Sequence, residues 1–299
     1  MNPASQRPPR PAPELVSVVI PARNAALVLP GQLAALCEQD YPGAWEVVVA
    51  DNGSTDNTVA VAVQWRHKLP ELRVTDASAR KGVNHARNVG AAAARGDFLV
   101  FCDADDAATP GWLRAMVQAA RTADLVGGYA EHYAVHHQRA CSWRTPQPRD
   151  RLPEIMNYLP YAVGASLGVR SEVLRSLSGF NEDYTTGGDD VEFSWRAQLA
   201  SYTVAFAPDA VMRYRVREGA LSVARQGFGY GRGDAQLMRD FRAHGLPPVT
   251  ATAVADSWYR LVRSLPDIVC PDKYGRWWHG AAWRAGRLVG SIRYRVPCL

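Results

Sequence analysis

Phe98-Leu99-Val100-Phe101-Cys102-Asp103-Ala104-Asp105-Asp106 is the stretch that decides how this chain is read. Five apolar residues in a row read as a fully buried strand. Three carboxylates follow within four positions, where that strand should end. An apolar interior does not accommodate such a cluster without something positive nearby. A hard cation with oxygen ligands is the leading candidate. The competing reading is a loop that caps the next helix, because Thr109-Pro110 and Trp112 resemble a helix start.

Upstream, Val16-Ser17-Val18-Val19-Ile20 reads as a first buried strand ending in Pro21-Ala22-Arg23-Asn24. Residues 45–50 read as a second, ending in Asp51-Asn52-Gly53-Ser54-Thr55-Asp56, which is turn and N-cap chemistry. A short strand is expected over 72–75. Helical spacing covers 27–37, about 57–68 and 82–95, the last with Gly96 as its stop. After the quoted strand come a helix over about 110–121 and a short strand at Leu125-Val126. This alternation predicts an α/β fold with a mostly parallel sheet flanked by helices. Ligands bind such sheets at the carboxyl ends of their strands, where all three polar clusters fall.

Residues 130–165 lose the rhythm. They hold Pro146, Pro148, Pro153 and Pro160, so irregular structure with a short strand or two is expected. His132, His136 and His137 lack metal-ligand partner spacing and read as a surface strand. Residues 171–176 read as a short helix and 179–183 as a turn. Gly187-Gly188-Asp189-Asp190 opens a helix with Val191, Trp195 and Leu199 on one side, and 202–206 reads as a strand.

The chain of 299 residues carries a net charge of +5. From Val211 onward there are 15 Lys/Arg against 6 Asp/Glu, a balance of +9 that leaves −4 on residues 1–210. A nucleic-acid partner fits poorly, because the motif-bearing part is net acidic. The five cysteines show no paired spacing and read as reduced thiols. No apolar run approaches the roughly 18 residues of a membrane span, and no apolar leader opens the chain. A cytoplasmic location is expected. Residues 1–14, with five prolines, read as a disordered tail.

In order along the chain, five motifs resemble those of the family 2 glycosyltransferases, whose nucleotide-sugar-binding α/β fold is called GT-A. They are Val18-Val19-Ile20-Pro21-Ala22-Arg23-Asn24; Asp51-Asn52-Gly53-Ser54-Thr55-Asp56; Gly82 with Ala86-Arg87-Asn88-Val89-Gly90; Asp103-Ala104-Asp105-Asp106; and Gly187-Gly188-Asp189-Asp190. The resemblance runs from about Val16 to Gly233. It implies an inverting transfer of a sugar from a nucleoside diphosphate sugar to a hydroxyl acceptor, whether glycan, lipid-linked or small molecule. Pro21, Ala22, Arg23, Asn24, Asp51, Gly82, Arg87, Asp103 and Ala104 would hold the donor. A carboxylate at Asp51 suits the ring N–H of uracil or guanine. Its bland counterpart is an Asx turn, and that of Arg87 a solvated helix face.

The resemblance further implies Mg2+ or Mn2+ at Asp105, with Asp103 on the ribose or the metal shell, and Asp190 as general base. The bland reading of Asp189-Asp190 is an N-cap. Many relatives carry a metal-binding His after the next strand; here that region reads Val211-Met212-Arg213-Tyr214-Arg215. Arg213 or Arg215 could then carry part of the diphosphate charge. Gln226-Gly227-Phe228-Gly229-Tyr230-Gly231-Arg232 reads as a flexible loop over the donor, presenting Tyr230 and Arg232.

Domain bounds are expected at 15–130 for the nucleotide-sugar half, 131–235 for the acceptor half and 236–299 for a basic helical extension. On a helical wheel, Lys273, Arg276, Arg284, Arg287 and Arg295 share one arc, and Tyr274, Trp278, Ala281, Ala285, Leu288, Val289 and Ile292 an adjacent one. Two readings stand: peripheral contact of 273–295 with an anionic membrane at its inner face, or a packed helix with solvated arginines. Alternatives to sugar transfer are a nucleotidyltransferase that makes an activated sugar, or a non-catalytic relative that binds nucleotide sugar or membrane.

Overall fold

The computed structural model describes residues 10–298. Its elements run β1 (Val16–Ala22), α1 (Leu29–Cys37), β2 (Trp45–Asp51), α2 (Thr58–Gln64), β3 (Arg73–Asp76), α3 (Val83–Ala93), β4 (Phe98–Phe101), β5 (Ala107–Ala108), α4 (Trp112–Ala119) and β6 (Leu125–Tyr133). There follow β7 (Leu167–Arg170), α5 (Ser171–Ser176), α6 (Asp189–Leu199), β8 (Val204–Arg215), α7 (Ala220–Phe241), α8 (Ala251–Arg263) and α9 (Tyr274–Tyr294).

One eight-stranded sheet runs β3-β2-β1-β4-β7-β6-β8-β5. β1 pairs in parallel with β2 and β4, β2 with β3, and β6 with β8. β7 is antiparallel between β4 and β6. Apolar residues on both strand faces are what two helical layers require. Val18, Ile20, Phe98 and Val100 meet α1 and α4, while Val19, Leu99 and Phe101 meet α5 and α6. The first three polar motifs therefore leave the sheet along one edge. The short strand read at Leu125-Val126 continues to Tyr133, and the strand read over 202–206 continues to Arg215. Neither extension had a strong apolar run to mark it.

The expected disordered tail falls partly outside the described residues. Within its last part, Arg10 pairs with Asp124 and lies 3.0 Å from Glu172.

The segment expected as a flexible loop, 226–232, instead forms the middle of α7. Isolated glycines weaken a helix by about 1 kcal/mol each against Ala. Here they are contact surface. A Cβ on Gly231 would collide with the Trp283 carbonyl, and one on Gly286 with that of Phe228, so α7 and α9 touch through their backbones. Gly229 and Gly233 face the other way, against the carbonyls of Thr186 and Gly187. α7 is thus wedged between α9 and the turn that leads into α6. The helix also runs through position 235.

α9 matches the expected 273–295 helix closely, and its basic arc divides: Lys273, Arg276 and Arg295 are exposed, whereas Arg284 and Arg287 fold back onto the protein. Arg287 is buried and donates to the Cys298 carbonyl at 2.8 Å. Arg284 donates to the Ser257 carbonyl of α8 at 2.8 Å. The glycine stripe turns inward, and Trp278, Val289 and Ile292 turn outward.

A Gly231→Ala substitution should cost about 1–3 kcal/mol in chemical denaturation, as overpacking does. Gly31→Ala, in α1 with open space around its Cβ, should be neutral or stabilise by up to about 1 kcal/mol. Equal effects at the two positions would contradict the backbone contact.

Candidate active site

The loops after β1 and β2 are tied to each other. Asn24 donates its backbone N–H to Ser54 Oγ at 2.9 Å, and its Oδ1 accepts from the Thr55 N–H at 2.8 Å. Asn52 is buried; its Nδ2 donates to the carbonyls of Ala77 and Arg80 at 2.6 and 2.8 Å, and its Oδ1 accepts from the Gly82 N–H at 2.9 Å. Asp51 is buried at the end of β2. Its Oδ2 accepts from the Ser54 N–H at 3.1 Å, as an Asx turn does, but its Oδ1 is buried without a partner. A buried unpartnered carboxylate oxygen is costly.

A cavity of about 660 Å3 opens beside these loops. Pro21, Arg23, Asn24, Asp103, Ala104 and Asp105 line it, with Arg215 and Arg217 opposite. Ala22 lies within β1, paired with Asp51, and Asp51 itself lines neither this crevice nor the larger cavity. Arg213 is exposed beside β5 and lines neither this cavity nor the larger one. The position expected for Arg213 is taken by Arg217, whose Nη1 donates to Asp105 Oδ2 at 2.7 Å.

The three carboxylates of the quoted stretch resolve into different states. Asp106 is buried; its Oδ1 accepts from the Arg215 N–H at 2.8 Å and its Oδ2 has no partner. Burial, then Asp103, holds its pKa well above the usual carboxylate range, against the Arg215 N–H that bonds it. Burial also raises Asp103, opposed by Arg87.

Arg87 is not on a solvated face. It is 4% exposed on α3, pairs with Asp189 and lies 3.5 Å from Asp103 Oδ1. Burial alone would lower its pKa, but Asp189, Asp103 and Asp190 outweigh burial and raise it. One guanidinium therefore joins the carboxylates after β4 to those opening α6.

Gly188, at φ +79, caps α6, and Gly187, at φ +140, lies against the Tyr230 ring. Both conformations disfavour side chains. They turn Asp190 toward the 163–166 segment, where its Oδ2 accepts from the Gly164 N–H at 2.9 Å; its Oδ1 accepts from the Val191 N–H at 2.9 Å. Burial, then Asp189, pushes Asp190 up to about 6, against those N–H groups and Arg87. Neither acid caps the helix through a side-chain bond to it of the usual kind.

A second cavity, about 1390 Å3, lies on the Asp190 side. Asp103, Arg87, Asp189, Asp190, Tyr230 and Arg217 line it. Arg232 does not; its backbone sits at the α7–α9 contact. His132 is half-buried on β6, with its ring 5.9 Å from that of Tyr214. Sequence reasoning missed Arg217, Arg144 and the Gly164 N–H, because a lone Arg or a backbone donor has no spacing to announce it.

This is a mixed-sheet α/β transferase architecture with a donor-sized crevice and a wider cavity meeting at one arginine. The sequence matches the model of glycosyl transferase family 2 over residues 17–177, and that of glycosyl transferase family group 2 over 100–285. The chain belongs to glycosyl transferase family 2 and is a glycosyltransferase.

Among relatives, it is 30% identical over 225 residues to the glycosyltransferase AglE of Haloferax volcanii, covering 74% of this chain and 73% of that protein. It is 29% identical over 249 residues to the pre-mycofactocin glycosyltransferase of Mycobacterium tuberculosis, covering 78% of this chain and 50% of that protein. Among solved structures, the mannosyltransferase PcManGT of Pyrobaculum calidifontis, in complex with GDP-Man and Mn2+, superposes with a TM-score of 0.58 at 22% identity, covering 98% and 82% of the two chains. Staphylococcus aureus TarS 1–349 in complex with UDP-GlcNAc gives 0.53 at 19%, covering 94% and 92%. These likenesses establish the GT-A fold.

Arg87→Met should destabilise the protein by about 3–5 kcal/mol, because it leaves buried carboxylates without their cation. The loss should be larger at pH 8 than at pH 5: acids with raised pKa values are charged at the higher pH and neutralise as pH falls. Urea melts at the two pH values read this directly, and a pH-independent loss would contradict the cluster.

Proposed function

We propose that this glycosyltransferase moves a sugar with inversion from a nucleoside diphosphate sugar to an acceptor hydroxyl by direct displacement. The observation that carries this reading is Arg87, which touches both Asp103 and Asp189 and so sets the donor-side carboxylates beside the candidate base. Asp51 Oδ1, buried without a partner at the end of β2, takes the ring N–H of the nucleoside, and Arg23 lines the neighbouring crevice. Arg215 and Arg217 face the diphosphate from β8 and the turn after it. Asp190 takes the proton of the acceptor hydroxyl. Its pKa of about 6 leaves it ionised at neutral pH yet basic enough to accept a proton. Asp189 is neutralised by Arg87, which leaves one free carboxylate at the acceptor and favours a single displacement over a covalent intermediate.

Asp105 and Asp103 suit Mg2+ or Mn2+ by chemistry. Both are hard oxygen donors at the crevice that Arg215 and Arg217 share. Among the described residues no group of three His, Cys, Asp or Glu side chains gathers to hold an ion alone. One or two carboxylates completed by substrate phosphates is the arrangement Mg2+ commonly takes. The ion would neutralise charge on the departing diphosphate. A structural neighbour bound to Mn2+ supports this. Family membership favours sugar transfer over nucleotidyl transfer and over a non-catalytic role.

Asp190→Asn should lower kcat by about 10²–10⁴-fold with nucleoside diphosphate affinity retained. In the native enzyme kcat/KM should fall below pH ~6, as Asp190 takes up its proton, and level off above it. Near-full turnover in the Asn variant would remove Asp190 as base.

We further propose that α8 and α9 rest on an anionic bilayer. No described helix is long and apolar enough to cross a membrane. The two helices run antiparallel, joined by Trp277 Nε1 to the Leu261 carbonyl at 3.3 Å and by Arg284 to Ser257. At 100° per residue their apolar arcs then fall on the same side. Tyr259 and Val262 are each 60% exposed and Ile292 80%. Arg263 and Arg293, exposed and one step of about 100° from Val262 and Ile292, rim this face, which matches anionic headgroups. The native protein should sediment with phosphatidylglycerol vesicles at low salt, and Val262→Asp/Ile292→Asp should not. No sedimentation by the native protein would defeat the idea, and concentration-dependent dimerisation lost in the same variant would assign the face to a second copy.

A further inference from the structure

Arg144 lies on the irregular segment between β6 and β7 and is half-buried in the larger cavity. Among the described residues it makes no ion pair with a carboxylate. Its partners are two phenols: Nη1 donates to Tyr214 Oη and to Tyr230 Oη, each at 3.4 Å, and its Cζ lies 5.7 and 5.1 Å from the two rings. Gln226 Nε2 donates to the same two oxygens, each at 3.3 Å.

Hydrogen-bond accounting makes this cluster unusual. Each phenol oxygen already accepts twice, so its own O–H proton has to be given elsewhere. Among the described residues the remaining guanidinium N–H groups of Arg144 meet no acceptor. A cation withdrawn from water without a counter-ion, beside two hydroxyl donors in need of an acceptor, is complementary to an anion. Gln226 Oε1 and His279 Nε2 are also buried without partners at this place. Burial and Arg144 lower the His279 pKa to about 4, so its ring is neutral and adds no competing positive charge.

We propose that Arg144, Tyr214 and Tyr230, with Gln226 bracing the two phenols, form a subsite for a phosphate group carried by the acceptor. The location argues for the acceptor. All four side chains line the larger cavity with Asp190, and none lines the smaller crevice with Arg23 and Asp105. A phosphate held there anchors the acceptor while Asp190 meets its hydroxyl. The inference rests on the proposed function for the identity of the cavity, but the subsite itself is tested by binding and needs no turnover.

The test is calorimetric titration of inorganic phosphate, and separately of UDP and GDP, into the native protein, Arg144→Gln, the Tyr214→Phe/Tyr230→Phe pair and Arg23→Gln. Circular dichroism melts establish that each variant is folded. The native protein should bind phosphate, with affinity reduced at least about tenfold in Arg144→Gln and in the double Phe variant, since charge-assisted hydrogen bonds are the strong ones. Arg23→Gln should bind phosphate as the native protein does, and Arg144→Gln should keep native nucleotide affinity. Unchanged phosphate binding in folded Arg144→Gln would overturn the subsite. A tenfold loss of nucleotide in Arg144→Gln would move the cluster to the donor's diphosphate and overturn the acceptor assignment. Failure of Asp190→Asn to lose activity would leave these outcomes untouched.

Discussion

Everything at the centre of this enzyme is arranged around one buried guanidinium. Arg87 has almost no contact with water, and its charge is tolerable only because Asp189 and Asp103 sit against it with Asp190 nearby. The dependence runs both ways: burial raises the pKa of Asp103 and of Asp190, and Arg87 opposes that rise in both. The cluster connects elements far apart in sequence, α3, the end of β4 and the start of α6. It fixes the distance between the donor crevice and the wider cavity. A salt bridge this buried is weak evidence for stability but strong evidence that its parts are placed for a reason.

The second constraint is the backbone contact of α7 with its two neighbours. Alternate glycines let α7 lie flush on α9 on one side and on the Thr186–Gly188 turn on the other. That turn delivers Asp189 and Asp190. The C-terminal helices are therefore packed into the candidate site: α9 bears on α7, and α7 on the turn that carries Asp190. Tyr230, on the same helix, places its ring against Gly187 and its hydroxyl beside Arg144, so the wall of the wider cavity moves with it.

Much of the fold was legible in the sequence, for simple reasons. Strands buried on both faces leave unmistakable apolar runs, and β1, β2 and β4 each carry one. Their polar endings at Asn24, Asp51 and Asp103 then had to share an edge. α7 was illegible because glycine counts locally against a helix, and only the presence of α9 reverses its meaning. The carboxylate cluster was half legible. Asp103, Asp105 and Asp106 look alike in a string, yet Asp106 is buried against the Arg215 N–H, Asp103 faces Arg87, and Asp105 is bound by Arg217. Arg217 and Arg144 left no trace, since their importance comes from what surrounds them. The basic arc of α9 was half legible: a wheel shows which residues share a side, not that Arg284 and Arg287 fold back onto the protein while Lys273, Arg276 and Arg295 stay exposed.

The central claim is that Arg87 holds the candidate base in a poised state from beneath. The most direct test is a 13C NMR titration of the Asp190 carboxyl in the native protein and in Arg87→Met. The account predicts a midpoint near pH 6 in the native protein and a higher one in the variant, because a cation that favours the carboxylate has been removed. A native midpoint in the ordinary carboxylate range, or one that does not move when Arg87 is replaced, would contradict it.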